Sequence, residues 1–239
     1  MKIKYLEIGA GVIFTIGMVN AATLTSGHVD AIGIGYVSGV GFEPHSHASA
    51  GTVIDGSALL ADEEYEPGDL TIQVAGTFTR PSDTVWAPTG VPSGESLGYL
   101  SEVEVSGEPF LGIGAEELNP ADWSSPITIK LTGIITPLGA YFSLWQTDSF
   151  GDPTFYMSTL GGIGTEDKYE MDLDLGDHEH FGWGFTKIGD YALTFDISGT
   201  HVTDGFQSAT ATYNFSVVPE PSAALMSILG MALLARRRR

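Results

Sequence analysis

The stretch GDYALTFDISGTHVTDGFQSATATYNFSV, residues 189–217, decides the fold of this chain. Large apolar side chains alternate with small or polar ones on both sides of Asp204-Gly205, a dipeptide typical of β-hairpin turns. Alternation with a period of two places every second side chain on the same face of a strand. The stretch therefore predicts two long antiparallel strands, each with one buried face, joined by a tight turn.

The same alternation predicts further strands in residues 70–78, 127–131 and 168–175. Residues 87–125 have a weaker pattern, and we expect them to form a long excursion from the sheets. Gly and Pro punctuate the remaining segments, and no amphipathic helix of useful length is predicted between residues 23 and 218. We therefore predict an all-β fold, an antiparallel β-sandwich of the immunoglobulin-like type.

The first 22 residues have the composition of a secretory signal peptide. Two lysines precede an apolar run over residues 8–18, and small residues follow that run. A basic start, an apolar middle and small residues at the end are the three parts of a cleavable signal. We predict a signal helix here, cut by signal peptidase after Ala21 or Ala22.

The other end, PEPSAALMSILGMALLARRRR, has three parts in a fixed order. Its prolines interrupt backbone hydrogen bonding and end the body, and an uncharged, helix-forming run over residues 222–235 follows. That predicted helix is shorter than the roughly 20 residues that cross a bilayer squarely, which suits a transient stop better than a permanent anchor. The terminal arginines are expected to stay cytoplasmic. The motif residues are Pro219, Glu220, Pro221, Arg236, Arg237, Arg238 and Arg239.

This tail resembles the PEP-CTERM sorting signal of exported bacterial proteins. The resemblance implies that an exosortase-type membrane protease cuts near residues 219–221. The body would then be released to the cell surface or extracellular matrix of a Gram-negative-type bacterium. A plain C-terminal membrane anchor is the alternative. The predicted organisation is thus a signal peptide (1–22), a β-sandwich surface domain (23–218) and a sorting tail (219–239).

The body between the two ends is strongly acidic. The chain has 30 acidic and 10 basic residues, and the two ends account for two of the acids and six of the bases. The 28 acids and 4 bases that remain give a net charge of −24, which repels nucleic acid and attracts cations. Surface solvation is the ordinary use of most such carboxylates. The absence of cysteine excludes thiolate metal sites and cysteine nucleophiles.

Four of the six histidines form His-x-His pairs, His45 with His47 and His178 with His180. Residues i and i+2 of a strand project from one face, so each pair can ligate one metal ion. Imidazole donors without thiolates favour zinc. We predict a zinc site at His178 and His180. The first pair lies in a segment expected to be a loop, and it forms either a second, looser cation site or a solvated surface.

A second resemblance adds residues to this site. The blocks GHVD (27–30), HEHFGWGF (178–185) and GDYALTF (189–195) resemble the surface domain called choice-of-anchor M, although Gly182 stands where that domain usually has asparagine. The resemblance implies metal handling at the cell surface, since related proteins are associated with zinc-dependent regulation and metal-type transporters. It also implies His28 as a third ligand. For the fourth position we expect water, His201 or a carboxylate such as Asp30. Without a metal, His28 would bond a loop and His201 would be a hairpin residue.

Two functions remain open at this stage. One is a non-enzymatic surface domain that binds zinc, either to buffer it or to deliver it to a metal-uptake system. The other is a structural or adhesive β-sandwich of the extracellular matrix without metal chemistry. No enzymatic activity is expected, because the chain lacks the His-Glu-x-x-His pattern of metallohydrolases.

The sorting tail predicts the mass of the mature protein. If the tail is a sorting signal, protein extracted from the cell surface will lack the residues beyond about Pro221, because the protease removes them with the arginines. Intact-mass spectrometry measures this directly. A mass that includes all four arginines would instead show a simple anchor.

Overall fold

The computed structural model describes residues 21–174 and 176–219, and this part of the chain is all-β. Two short 3-10 helices, Thr84–Thr89 and Pro120–Asp122, accompany the strands. The predicted signal helix (1–22) and tail helix (222–235) lie outside the described residues, apart from residues 21 and 22, and the first strand begins at Ala22. Among the described residues, no helix is long and apolar enough to span a bilayer.

The strands, in chain order, are β1 (Ala22–Val37), β2 (Gly41–Ala48), β3 (Val53–Ile54), β4 (Ser57–Ala58), β5 (Glu63–Tyr65), β6 (Leu70–Val74), β7 (Thr77–Thr79), β8 (Ser96–Leu100), β9 (Pro109–Gly114), β10 (Ile127–Ile135), β11 (Phe142–Thr147), β12 (Pro153–Ser158), β13 (Lys168–Met171), β14 (His178–His180), β15 (Gly182–Phe185), β16 (Gly189–His201) and β17 (Gly205–Val217).

These strands form two sheets. The larger sheet has the order β13-β10-β16-β17-β6-β1-β2-β5, with β9 and the β3–β4 hairpin also paired to β1, and β14 paired to β9. The smaller sheet has the order β12-β11-β15-β8-β7. Strand β1 pairs with four other strands, and this makes it the centre of the region that holds the histidines.

The hairpin predicted from residues 189–217 is confirmed. Strands β16 and β17 pair antiparallel without a register shift from Gly189 opposite Val217 to His201 opposite Gly205. Along β16 the buried residues alternate with half-buried ones. Gly205 has φ of 75°, a value that glycine adopts without steric cost, and this places the turn where the sequence pattern predicted it.

The prediction that every pair is antiparallel is wrong for three pairs. Strand β1 runs parallel to β6 and to β9, and β17 runs parallel to β6. No hairpin joins the members of these pairs, since long segments separate them, and only a tight turn forces neighbouring strands to be antiparallel. The sheet around β1 is therefore mixed.

Three other strand assignments also need correction. Residues 87–125 are not a long excursion, because they supply β8 to the smaller sheet and β9 to the flank of β1; glycines in both strands obscure the alternation. The strand predicted over 70–78 breaks into β6 and β7, which belong to different sheets. The strand predicted over 168–175 ends at Met171, where Asp172 accepts a hydrogen bond from the backbone of Asp174 and forms a turn.

The two sheets share one aromatic and aliphatic core. Phe215 of β17 lies 5.5 Å from the ring of Trp183 and 5.1 Å from that of Phe185, and these two residues belong to β15 in the smaller sheet. All three side chains are buried almost completely. The contact between sheets positions β15 and, through the chain that precedes it, the short strand β14.

This packing predicts the effect of truncating Phe215. We expect Phe215→Ala to lower the free energy of unfolding by about 3–5 kcal/mol, since it removes a buried ring and leaves a cavity. Phe206→Ala on the same strand is the matched control, because Phe206 is 70% exposed and its loss should change the value by less than about 0.5 kcal/mol. Urea denaturation measures both; equal effects would contradict the packing described here.

Candidate metal centre

Strand β1 carries the first residues of the site at an irregularity in its pairing. Its residues 27–33 pair with β9 on one side, and its residues 29–37 pair with β2 on the other. Both pairings shift register immediately after Asp30, which marks a β-bulge. A bulge turns side chains away from the regular alternation, and here Asp30 lies beside the histidines.

Three imidazole rings converge next to this bulge. His28 comes from β1, and His178 and His180 come from β14, which is 150 residues further along the chain. The Nε2 atom of His178 lies 3.4 Å from that of His28 and 2.9 Å from that of His180. The three side chains together can present one nitrogen each to a single metal ion.

Hydrogen bonds at the far nitrogens determine which atoms face each other. The Nδ1 atom of His180 lies 2.9 Å from the carbonyl oxygen of Leu111, and Nδ1 of His178 lies 2.5 Å from a carboxylate oxygen of Glu116. Both oxygens accept, so each Nδ1 carries the proton. In the neutral rings, the facing Nε2 atoms of His178 and His180 are therefore both lone-pair acceptors.

Facing acceptors need a positive charge between them. A proton can be shared by two nitrogens, whereas a metal ion accepts donors from all three rings. Burial lowers the pKa of His28, and the neighbouring His178 and His180 lower it further. Burial also lowers the pKa of His180, although its bond to Leu111 opposes the change. Neutral imidazole is the form that ligates a metal, so the arrangement favours an ion over a proton.

A buried carboxylate completes the group. The side chain of Asp30 is 6% exposed, and its Oδ1 atom has no hydrogen-bond partner. That atom lies 3.2 Å from Nδ1 of His178, which is hydrogen bonded to Glu116 instead, and 4.0 Å from Nε2 of His28. Burial raises the pKa of Asp30 to about 6, while His178 opposes the rise. An unpaired buried carboxylate beside three imidazoles is suited to a cation.

Glycines make the space in which these side chains lie. A Cβ atom on Gly112 would lie 2.3 Å from Oδ1 of Asp30 and 2.8 Å from Nε2 of His178. A Cβ atom on Gly114 would be 2.9 Å from the Asp30 carboxylate carbon. Both glycines belong to β9, directly opposite His180 and His178 respectively. Side chains here would displace the ligands, so β9 forms a backbone floor beneath them.

Two further contacts orient the rings. The ring of Phe110 stacks on His180 with 3.7 Å between centroids, and it gives the site one apolar wall. Ser49 lies 3.0 Å from Nδ1 of His28, and its hydroxyl can accept the proton of that nitrogen. Glu179 points to the other side of β14, where it accepts a hydrogen bond from Gln146. These partners fix ring orientation in the way that outer-shell groups do at metal sites.

The other His-x-His pair lies in a strand, so its assignment to a loop is wrong. His45 and His47 belong to β2, where they stand opposite Gly33 and Asp30 of β1. Pro44 does not break this strand, although proline has no backbone N–H to donate to the ladder. It stands opposite Ile34, and the residues on either side of it, Glu43 and His45, pair with Gly35 and Gly33. Both histidines line a cavity of about 250 Å³ together with His28, Asp30, Glu116 and Glu117.

The structure does not bring His201 to the three histidines, which corrects its assignment as a fourth ligand. Its ring contacts Tyr36 and Trp123, at centroid distances of 4.8 and 5.3 Å. Its Nδ1 atom accepts a hydrogen bond from the backbone N–H of Asp204. The turn of the β16–β17 hairpin therefore holds this ring at a separate place. Asp30 lies beside His28 and His178, and with Glu116 and His178 it forms a second, overlapping group of possible ligands.

Sequence reasoning missed several residues of the site. Glu116 and Glu117 are two acids among many, and nothing in their pattern separates them from surface carboxylates. The glycines had a usable signal, since Ile-Gly-Ile-Gly (32–35) lies in β1 and Leu-Gly-Ile-Gly (111–114) lies in the neighbouring strand β9. Alternating glycine in a strand marks a face to which another group approaches closely.

Another unused pattern is GESLG at residues 94–98, which matches the Gly-x-Ser-x-Gly elbow of hydrolases. Its Ser96 begins strand β8 and bonds to Thr79 across the ladder at 2.9 Å. The elbow requires a strand followed by a helix, and here the serine opens a strand instead. The pattern therefore does not define a nucleophile in this fold.

Comparisons of the chain with family models, with curated proteins and with solved structures find no match.

The glycine floor predicts a steric test of the site. We expect Gly112→Ala to weaken binding of a divalent metal, with Zn²⁺ as the probe, by about 10- to 100-fold, because the methyl group displaces His178 and Asp30. Gly176→Ala is the control, since a Cβ atom there meets nothing closer than 3.9 Å. Calorimetric titration of both variants measures the effect. Wild-type affinity in Gly112→Ala would contradict the proposed position of the ion.

Proposed function

We propose that this chain is an exported cell-surface protein that binds a transition metal, with zinc favoured, through His28, His178 and His180, and that it buffers the metal or delivers it to an uptake system. The observation that carries the proposal is the convergence of the three Nε2 atoms beside an unpaired, buried carboxylate. The proposal is one of binding without catalysis.

The donor set fits zinc. Zinc takes imidazole and carboxylate donors in tetrahedral sites, and three nitrogens bound at about 2.0–2.1 Å lie roughly 3.3–3.4 Å apart. The separations between the Nε2 atoms, 3.4 Å from His178 to His28 and 2.9 Å from His178 to His180, are close to that spacing. Asp30 would supply the fourth donor. Calcium and magnesium fit less well, since both prefer sites made of oxygen atoms.

The residues around the proposed ligands would help both to hold the metal ion and to let it exchange. Glu116 and the Leu111 carbonyl hold the protons of two rings on Nδ1, which leaves Nε2 ready to bind. His28 and His178 keep 34% and 22% of their side chains exposed, so an ion can exchange with solvent or with a partner. A closed structural zinc site would bury its ligands more fully, and partial exposure suits a buffer or a donor.

The cellular setting of this proposal comes from the two ends of the chain. The signal-like start and the PEP-CTERM-like tail support export, processing by signal peptidase and an exosortase-type protease, and display at the cell surface. The acidic body supports cation attraction and argues against nucleic acid as a partner. The same proposal includes an immunoglobulin-like arrangement of the surface domain, its relationship to choice-of-anchor M and its boundaries at residues 22 and 218.

A paired substitution tests the metal function. We expect the double variant His178→Ala, His180→Ala to lose tight Zn²⁺ binding at the three-histidine site, because a single imidazole from His28 remains. Calorimetry with Zn²⁺ measures the number and affinity of sites, and far-ultraviolet circular dichroism checks that the strands are retained. Zinc should also raise the melting temperature of the wild-type protein, since a ligand bound only by the folded state stabilises it.

The matched control is His201→Asn, which removes an imidazole outside the site and retains an acceptor for the hairpin backbone. It should bind Zn²⁺ as the wild type does. Unchanged stoichiometry and affinity in the His178, His180 variant would overturn the metal function, and a structural or adhesive role for the body would then be the better account.

A further inference from the structure

A second group of metal-type ligands lies at the cavity that His28 and Asp30 line. His45, Glu64 and Glu117 each offer one ligand atom, and these atoms lie within 4.8 Å of one another. His45 comes from β2 and Glu64 from β5, which pairs with β2. Glu117 follows β9 and is adjacent to Glu116, which contacts His178. The group shares no ligand with the three-histidine site.

The hydrogen bonds of His45 repeat the arrangement described for His178 and His180. Its Nδ1 atom lies 3.0 Å from the carbonyl oxygen of Glu43, which can only accept, so Nδ1 carries the proton of the neutral ring. Its Nε2 atom is then a lone-pair acceptor, and it lies 3.2 Å from a carboxylate oxygen of Glu117. Two acceptors therefore face each other, and a cation between them would satisfy both.

Glycines of β1 make room for this group as glycines of β9 do for the first. A Cβ atom on Gly33 would lie 2.6 Å from Nε2 of His45, and one on Gly35 would lie 2.8 Å from a carboxylate oxygen of Glu117. The two ligand atoms thus rest on backbone. Segments 32–35 of β1 and 111–114 of β9 each carry two such glycines, and one glycine pair lies beneath each group of ligands.

Both groups contribute to the lining of one cavity of about 250 Å³, the first through His28 and the second through His45 and Glu117. The side chain of His45 is 12% exposed, while that of Glu117 is 49% exposed, so this group lies between the bulk solvent and the buried Asp30. Asp30, whose Oδ1 atom is buried without a hydrogen-bond partner, lines that cavity as well. The cavity thus contains more anionic and lone-pair donors than a single ion can satisfy.

We propose that a second divalent transition-metal ion binds beside this cavity, held by His45, Glu64 and Glu117. One imidazole and two carboxylates make a weaker and more exposed site than three imidazoles, so the second ion binds less tightly and exchanges faster. This proposal does not depend on the three-histidine site, because the ligands are distinct, and the two can be tested separately.

The experiment counts zinc ions on the full-length protein, by calorimetry and native mass spectrometry. Excess Ca²⁺ is present to occupy surface carboxylates that lack an imidazole. The wild type should bind two Zn²⁺ ions. The double variant His45→Ala, Glu117→Gln should bind one, with the affinity of the tighter site unchanged. The double variant His178→Ala, His180→Ala should also bind one, with the weaker affinity.

A single conservative change keeps the test decisive if a double variant fails to fold. Glu117→Gln alters one half-exposed side chain. It should weaken the affinity for the second ion by about tenfold or more and leave the affinity for the first ion unchanged. Glu66 is an acid outside both groups, so Glu66→Gln should leave the affinity for both ions unchanged. A wild type that binds one ion, or a His45, Glu117 variant that still binds two, would overturn the second site and leave His45 as a partner of Glu117 alone.

Discussion

The pairing of β1 on both of its edges is the constraint on which the remainder of the structure depends. Its first residues pair with β6 and β3, and residues 27–37 pair with β9 and β2. A strand paired on both edges cannot move without breaking two ladders, so the residues it carries are held rigidly. His28 and Asp30 belong to this strand, and the other proposed ligands lie on or next to strands that pair with β1 or with its neighbours.

Polar atoms of the candidate site lack the hydrogen-bond partners that buried polar atoms normally have, and this favours binding of a ligand. Buried polar atoms are normally paired, and neutral histidines normally find a donor for each free nitrogen. Here Oδ1 of Asp30 is unpaired, and Nε2 of His178 faces Nε2 of His180 at 2.9 Å. Local conflicts of this kind concentrate at functional sites, where binding compensates for them.

The sequence allowed part of this arrangement to be predicted, for reasons that particular residues make clear. Period-two alternation is a local property, so the β16–β17 hairpin and the pairing of His178 with His180 on one face could be derived from spacing alone. His28 lies 150 residues from His178, and no local pattern connects them; its assignment came from a resemblance. Glu116 and Glu117 were not predicted because their role arises from the turn after β9, and His201 was misplaced because its hairpin turn packs against Trp123.

Strand β6 has a consequence for the order in which the body can form. It pairs with the first residues of β1 through Leu70 and with the last residues of β17 through Val74. A chain synthesised from its N terminus cannot complete this sheet until residue 217 is available, and contacts between such distant segments make folding slow. The three histidines are themselves brought together from opposite ends of the body. The ligands of the proposed metal site therefore come together only after strands from distant parts of the chain have paired.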